Sequence, residues 1–306
     1  MLEILSILGI FCSILGGIEI LVRLVRAIKK LKQQKEPPQH QLSAIEEQET
    51  SKEQTEVEIV VYTEQQISQR LNKLIDLFNQ NRSYDKITVS ELAEFLDYER
   101  TSDLEKYFRG LEEPLRSEKE HICDCLGVNP EWLKHGKGEA FNSQEEYRLY
   151  AFDYKKIIAD KSPEKIIFVR SKASDGAIII VLRINKYKYI CLPETWNISG
   201  EVGGTGQNQI LSFYYLVKYL QKLKNLDFTC FYMQGIHLEE EVFNDLICGR
   251  IYPGSIITSY NDTWWDDLTD IHHSWAYASS YEEMHGKNFI DAQNIIKYKL
   301  ECRQSR

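Results

Sequence analysis

The sequence has few of the short motifs that carry chemistry in enzymes and metalloproteins. Its seven cysteines include no CxxC pair and stand at no zinc-site spacing from a histidine, so a structural zinc site is not expected. No glycine-rich loop is followed by the Lys-Ser/Thr pair of a P-loop, and no serine or cysteine stands in a nucleophile motif. We therefore expect no catalytic residues, no metal and no cofactor, and we predict that the protein is not an enzyme.

The chain also lacks a surplus of positive charge. It has 37 Lys and Arg against 46 Asp and Glu among 306 residues, which gives a formal net charge of −9. Proteins that bind nucleic acids take most of their non-specific affinity from Lys and Arg that neutralise phosphates. A nucleic-acid surface on this chain therefore requires its basic residues to gather on one face.

Long apolar runs are absent except at the N terminus. Residues from Ile4 to Ile18 are uncharged, and the apolar character continues through Val25 if Glu19 and Arg23 neutralise each other on one helix face. The resulting length of about 22 residues is enough to span a bilayer. The run therefore predicts a single transmembrane helix at residues 1–27.

The charges that flank this run predict its orientation. Glu3 precedes it, whereas six Lys and Arg follow it between residues 23 and 35. By the positive-inside rule the protein is expected at the cell membrane as a single-pass protein with its C-terminal domains in the cytoplasm. A buried or interfacial amphipathic helix is the alternative. A stripe of small residues would let two spans pack as a homodimer: Gly9, Ser13 and Gly17.

The segment 28–57 is predicted to be a disordered linker. Gln and Glu dominate it, and Pro37 and Pro38 stop the preceding helix. Such a composition cannot bury enough apolar surface to order itself. The segment would act as a tether.

Residues 58–141 have the pattern of an all-α domain of five short helices. Apolar residues recur at helical spacing, and the candidate second and third helices are "TVSELAEFL" and "TSDLEKYFRG". Capping boxes are predicted at Thr88 with Glu91 and at Ser102 with Glu105. The closing segment "GVNPEWLKHGKGEAF" places Asn129 as a helix cap before a proline.

With these segments the chain resembles the Cro/CI-type (XRE-like) helix-turn-helix family of phage repressors and bacterial regulators. The closing segment looks like the family's "GVNPxWLxxGxG" ending, whereas the turn after the second helix has Asp97 where the family usually has Gly. Family members bind DNA as dimers with the third helix in the major groove. The resemblance implies a repressor-like, DNA-binding transcription regulator whose residues facing DNA are Ser90, Arg100, Thr101, Ser102, Lys106 and Arg109.

The charge of this region keeps a second interpretation open. From Glu58 to Glu139 there are 11 Lys and Arg against 17 Asp and Glu, and 11 minus 17 is −6. A degenerate helix-turn-helix that contacts a protein instead of DNA is the alternative.

Residues 147–306 are predicted to form an α+β domain with an antiparallel sheet. The runs "KIIFVRS", "AIIIVLRI" and "KYKYICL" are rich in β-formers, and Asp175-Gly176 predicts a tight hairpin turn between the first two. A further strand is expected from Ile256 onward. Because the domain follows a DNA-binding module, it is expected to sense a signal, either an unknown protein or a small molecule.

Two features of this domain suggest chemistry only weakly. A glycine-rich loop, Gly200 to Gly206, precedes a helix and is interpreted as a flexible connection. The segment "NDTWWDDLTDIHHSW" is rich in Asp and His, but its adjacent histidines cannot easily point at one ion. An enzyme with its site near these segments is the least favoured alternative.

Taken together, these patterns predict a membrane-anchored DNA-binding regulator with a sensing domain. The alternative is a membrane-anchored adaptor that uses its helix-turn-helix to bind a protein and does not bind DNA.

Overall fold

The computed structural model describes residues 65–141, 151–173, 175–192, 196–225, 232–257 and 264–304. All of them belong to one unit of the fold, Tyr62–Arg306. The helical region predicted over 58–141 and the α+β region predicted over 147–306 are thus parts of the same unit. The predicted linker 28–57 lies outside the described residues.

Short helices build the N-terminal part of this unit. They are α1 (described over 65–79), α2 (Val89–Phe95), α3 (Thr101–Phe108), α4 (Arg116–Leu126) and α5 (Pro130–His135). Their apolar faces meet in a bundle core that includes Leu71, Leu92, Leu104 and Trp132. We call these five helices the bundle.

Side-chain caps fix where two of these helices begin. Thr88 caps α2 in the predicted capping box with Glu91, and Asn129 accepts a hydrogen bond from the Glu131 N–H at the start of α5. The second predicted box is wrong, because α3 begins at Thr101 and Ser102 therefore lies inside the helix. Its N-cap residue, Arg100, makes no side-chain cap bond.

A mixed sheet forms the second part. Its strands are β1 (Lys165–Ser171), β2 (Ala177–Arg183), β3 (Tyr189–Cys191), β4 (Trp196–Asn197) and β5 (Tyr232–Leu238). The order is β3-β2-β1-β5, with β4 also on β2. β1 and β2 pair antiparallel across the predicted turn at Gly176, whereas β1 and β5 pair parallel.

The predicted fold class is wrong on this point, because the sheet is mixed and not purely antiparallel. Parallel neighbours need a long crossover. Helix α7 (Gly204–Asn225), 22 residues long, lies on the path from β1 to β5 and supplies it. The strand expected from Ile256 is also wrong, since Pro253–Ile257 forms a short helix, α9.

Both faces of the sheet are covered. Ile167, Val169 and Val181 face the bundle, α8 (Glu240–Ile247) and α9. Residues of the opposite face, such as Phe168 and Ile180, pack against α6 (Ala151–Lys161), α7 and α11 (Lys287–Gln304). Burial on both faces explains why β1 and β2 read as continuous apolar runs.

The bundle packs on the sheet through an aromatic cluster. The centre of the Phe78 ring lies 4.4 Å from the centre of the Tyr252 ring and 6.1 Å from the ring centres of Tyr187 and Phe141. The Phe141 N–H donates to the Gly249 carbonyl at 3.1 Å. Bundle and sheet therefore share one hydrophobic core.

The membrane part of the predicted fold class also needs correction. No helix among the described residues is both long and apolar enough to cross a membrane, so the transmembrane helix and the single-pass localisation are not upheld. The uncharged run Ile4–Ile18 has only 15 residues, whereas a span needs about 20. Its extension to Val25 depended on Glu19 and Arg23 neutralising each other on one helix face. The segment 1–27 itself lies outside the described residues.

Candidate functional site

A short connection that contains a left-handed residue joins helices α2 and α3. Asp97 directly follows Leu96, the C-cap residue of α2, and has a φ of 58°. The next N–H, of Tyr98, donates to the Ala93 carbonyl at 2.9 Å. Gly enters this region freely and Asp tolerates it. Asp97 therefore adopts the left-handed conformation for which a glycine would be suited.

Most residues predicted to face DNA are accessible. Exposed side chains are Ser90, Arg100, Thr101, Ser102 and Arg109. The hydroxyl oxygens of Ser90 and Thr101 are 3.2 Å apart and join the first turns of α2 and α3. The N-terminal end of α3 is thus open to a partner.

Lys106, the last of the six residues predicted to face DNA, already forms an ion pair with Glu112. Its Nζ lies 2.8 Å from Glu112 Oε2, and the side chain is 31% exposed. This hydrogen bond with Glu112 raises the pKa of Lys106. The same ammonium lies 4.8 Å from the centre of the Tyr107 ring. Lys106 would have to exchange its carboxylate partner in order to contact a phosphate.

Carboxylates dominate the rest of this surface. Exposed acidic side chains on and beside α3 are Glu94, Asp97, Glu99, Glu105 and Glu112. Glu105 is three residues from Ser102 and four from Arg109, so these side chains share one helix face. We call the exposed side chains of α3, those of the flanking Arg100 and Arg109, and these carboxylates the α3 surface. Its two cations without an ion pair to the described residues are Arg100 and Arg109.

The acidic residues near the C terminus are used for structure. Asp270 accepts hydrogen bonds from the N–H and hydroxyl of Ser274, the N–H of Trp275 and the hydroxyl of Tyr281. Burial alone would raise the pKa of Asp270, but these bonds outweigh it and lower the pKa. His273 contacts Gln293 instead of an acid. Among the described residues no group of three or more His, Cys, Asp or Glu could hold a metal ion.

A cavity of about 460 Å³ is the feature that sequence reasoning missed. Its lining includes Arg170, Lys172, His237, His285 and Lys287, and none of the glycines in the glycine-rich loop. These residues come from β1 and the position directly after it, from β5, from the end of helix α10 (Tyr281–His285) and from the start of α11. One signal was available, because Arg170 interrupts the apolar run "KIIFVRS" in a strand whose side chains are buried.

Comparison of this chain with protein-family models, with curated proteins and with solved structures finds no match. The resemblance to Cro/CI-type regulators therefore stays a prediction that rests on the quoted motifs. Function has to be argued from the two surfaces above. One is the acidic α3 surface, and the other is the cationic cavity.

Proposed function

We propose that this protein is an interaction protein whose helix-turn-helix module docks a basic surface of a partner protein through the α3 surface. The observation that carries the proposal is the excess of carboxylates on this surface. Five exposed acidic side chains lie on or beside α3, where two arginines, Arg100 and Arg109, form no ion pair with the described residues. A field of this sign attracts cationic partners and repels polyanions.

The magnitude of counterion release favours a protein over DNA. Each neutralised phosphate contributes about −0.9 to the slope of log K against log salt concentration. Two unpaired arginines give a slope of about −2, whereas a protein with six to ten phosphate contacts has about −5 to −9. One bundle would therefore hold DNA only weakly.

Exposed apolar side chains beside α3 support a protein partner. Leu111 and Leu115 are 63% and 67% exposed in the connection that follows α3. The Leu111 N–H donates to the Lys106 carbonyl at 3.0 Å, which fixes this connection to the end of the helix. Apolar residues inside a charged rim are the usual anatomy of a docking surface.

DNA binding by the same helix is the second candidate. The left-handed turn at Asp97 and the exposure of Ser90, Arg100, Ser102 and Arg109 favour it. A homodimer would double the number of unpaired arginines that meet the duplex. Even so, the expected salt slope would be only about −4.

Site-specific photo-crosslinking in the cells that produce the protein tests the proposal. A photoreactive amino acid replaces Ser102 on α3 or, as a control, Lys73, an exposed residue of α1. We expect a discrete protein adduct from position 102 that is absent from position 73 and is lost in the Glu105→Lys variant. DNA adducts from position 102 without a protein adduct would overturn the proposal in favour of the second candidate.

A DNA titration provides the complementary measurement. Binding of the full chain to duplex DNA is followed by fluorescence anisotropy between about 25 and 200 mM salt, and we expect a slope no steeper than about −2. The Glu94→Lys/Glu105→Lys variant adds two cations and should steepen the slope to about −4. A wild-type slope of about −4 or steeper, together with binding that Arg109→Ala weakens, would contradict protein docking.

A further inference from the structure

The cavity lies where ligands bind in many α/β proteins. β1 and β5 are parallel, so their carboxyl ends, Arg170 and Ser171 on one and His237 on the other, meet at the same edge of the sheet. Open sheets of this kind bind ligands in the crevice outside the carboxyl ends of their strands. Helix α11, 18 residues long, points its N terminus at the same cavity through Lys287.

Arg170 is a buried cation that no carboxylate pairs with in the described part of the chain. The residue is 4% exposed, and its Nη1 donates to the His285 carbonyl at 2.9 Å. Its Nε is buried and has no hydrogen-bond partner among the residues that the structure describes. Burial lowers the pKa of Arg170 to about 10, and the charge of Asp175 only partly opposes this effect. A buried guanidinium without a counter-ion destabilises the empty protein.

The nearest aromatic ring does not replace a counter-ion. The guanidinium carbon of Arg170 lies 5.2 Å from the centre of the Phe289 ring. A contact of this kind offsets only a small part of the desolvation of a charged group. The guanidinium therefore keeps a positive charge that no carboxylate among the described residues neutralises, in a side chain that lines the cavity.

His285 adds a second polar group that is fixed in orientation. Its Nε2 lies 2.7 Å from Asp267 Oδ2, and Asp267 Oδ1 accepts from the Tyr277 hydroxyl at 3.1 Å. The other ring nitrogen, Nδ1, is buried and has no partner in the described part of the molecule. With Nε2 donating to Asp267, a neutral ring offers Nδ1 as an acceptor, and a protonated ring offers it as a donor.

Charges at the rim complete the site. Lys287, the first residue of α11, is exposed, and the amino end of a helix carries N–H groups suited to an anion. Lys172 is less available, because its Nζ is 2.6 Å from Glu239 Oε1. Of the carboxylates nearby, Asp267 is already bonded to His285 and Tyr277. The cavity is therefore cationic where Arg170 and Lys287 line it.

We propose that this cavity binds the phosphoryl group of a small phosphorylated molecule. The charge of Arg170 attracts a phosphoryl group, which accepts hydrogen bonds from the first turn of α11 and lies beside His285 in the lining of the cavity. A volume of about 460 Å³ leaves room for the organic part of such a molecule. This site is independent of the α3 surface, and its failure would leave the docking proposal intact.

Calorimetric titration of the full chain tests the ligand class. The probes are inorganic phosphate, ribose 5-phosphate and acetate. We expect saturable binding of both phosphates, the sugar phosphate being the tighter, and at least about tenfold weaker binding of acetate, which has one charge and two oxygens. Absence of saturable phosphate binding up to about 10 mM, or equal binding of acetate, would overturn the proposal.

The Arg170→Met variant separates a ligand-binding role from a structural one. Removing an unpaired buried charge should raise the melting temperature of the empty protein by about 3 °C or more, and phosphate affinity should fall at least about 100-fold. A variant that melts lower than wild type while still binding phosphate would refute our assignment. If Arg170→Met fails to fold, Arg170→Lys should keep the fold and weaken phosphate binding about tenfold or more.

A matched pair of substitutions on α11 tests the rim. Lys287→Gln should weaken phosphate about three- to tenfold, because it removes one charge-assisted contact. Lys297→Gln removes the same charge from an exposed position of the same helix, away from the cavity lining, and should leave affinity unchanged. Equal effects of the two substitutions would reduce the binding to general charge attraction and refute the site.

Discussion

Replacing Phe78 by Ala should destabilise the sheet as well as the bundle. Phe78 is fully buried at the end of α1, and its ring contacts those of Phe141, Tyr187 and Tyr252. Tyr187 and Tyr252 belong to the α/β part of the chain, so the ring links the two parts directly. Truncation of a buried Phe costs about 3–5 kcal/mol, because transfer free energy is lost and a cavity remains.

This magnitude is large relative to the stability of a single domain. Typical unfolding free energies are about 5–15 kcal/mol, so Phe78→Ala would remove a third or more in most cases. Because 1.4 kcal/mol corresponds to a factor of ten, the population of the unfolded state should rise about 150- to 5,000-fold. If bundle and sheet unfold together, amides in both parts should lose protection by this factor.

Native-state hydrogen exchange measures the effect amide by amide. The relevant probes are core amides of α4 and of β1 that exchange through global unfolding, for example those of Ile122 and Ile167. Tyr84→Ala is the control, because Tyr84 is fully exposed and its loss should change stability by less than about 0.5 kcal/mol. Loss of protection in α4 with unchanged protection in β1 would refute the shared core.

Three further predictions concern local features. Asp97→Gly should raise the unfolding free energy, measured by urea denaturation, by about 0.5–1 kcal/mol, because glycine relieves the strain of a positive φ. The control Asp103→Gly, inside α3, should lower the unfolding free energy by about 1 kcal/mol. A lower unfolding free energy in both variants would contradict strain at Asp97. Asn129→Ala should cost about 1–2 kcal/mol in the same assay, since Asn129 caps α5 and also donates to the Glu139 carbonyl, and no loss would refute the cap. Burial raises the pKa of Asp266 from 3.8 to about 6, so the native state binds the proton more tightly and stability falls as the pH rises from about 4 to 6. A shift of two pKa units corresponds to just under 3 kcal/mol, and solvent screening of the partly exposed carboxyl reduces this to about 1 kcal/mol. Asp266→Asn should therefore raise the unfolding free energy by about 1 kcal/mol at pH 8 and leave it unchanged at pH 4.

Local signals in the sequence located several element ends. The capping box at Thr88 and the Asn129-Pro130 start of α5 are present, and Gly176 turns β1 into β2 with a φ of 56°. These features depend on residues only a few positions apart, so spacing is enough to find them. The predicted capping box at Ser102 placed the start of α3 two residues late, because the helix begins at Thr101 with Arg100 as its N-cap residue.

Contacts between residues far apart in sequence could not be predicted from local spacing. The run that gives β5 looks the same whether it pairs parallel or antiparallel, and only the path through α7 decides between them. Ile256 and Ile257 have strand propensity, but they lie in a short helix buried against the core. Tertiary burial overrides propensity in so short a segment.

The cavity shows why site residues are harder to predict than elements. Arg170 and His285 are 115 residues apart in sequence and are joined by a hydrogen bond between guanidinium and carbonyl. No spacing rule links them. Segments chosen for their composition proved less informative: the Asp and His residues near the C terminus hydrogen-bond within the core, and the glycine-rich loop does not line the cavity.

The separation of charge in this molecule argues against one polyanion serving both surfaces. The acidic α3 surface repels phosphates, and the cation best suited to bind one, Arg170, is only 4% exposed inside a cavity. A duplex cannot enter a space of about 460 Å³, because its major groove alone is about 12 Å wide. A nucleic acid could therefore reach only the exposed lysines at the rim. We therefore expect the interior cation to bind a small anion and the α3 surface to bind a partner of opposite charge.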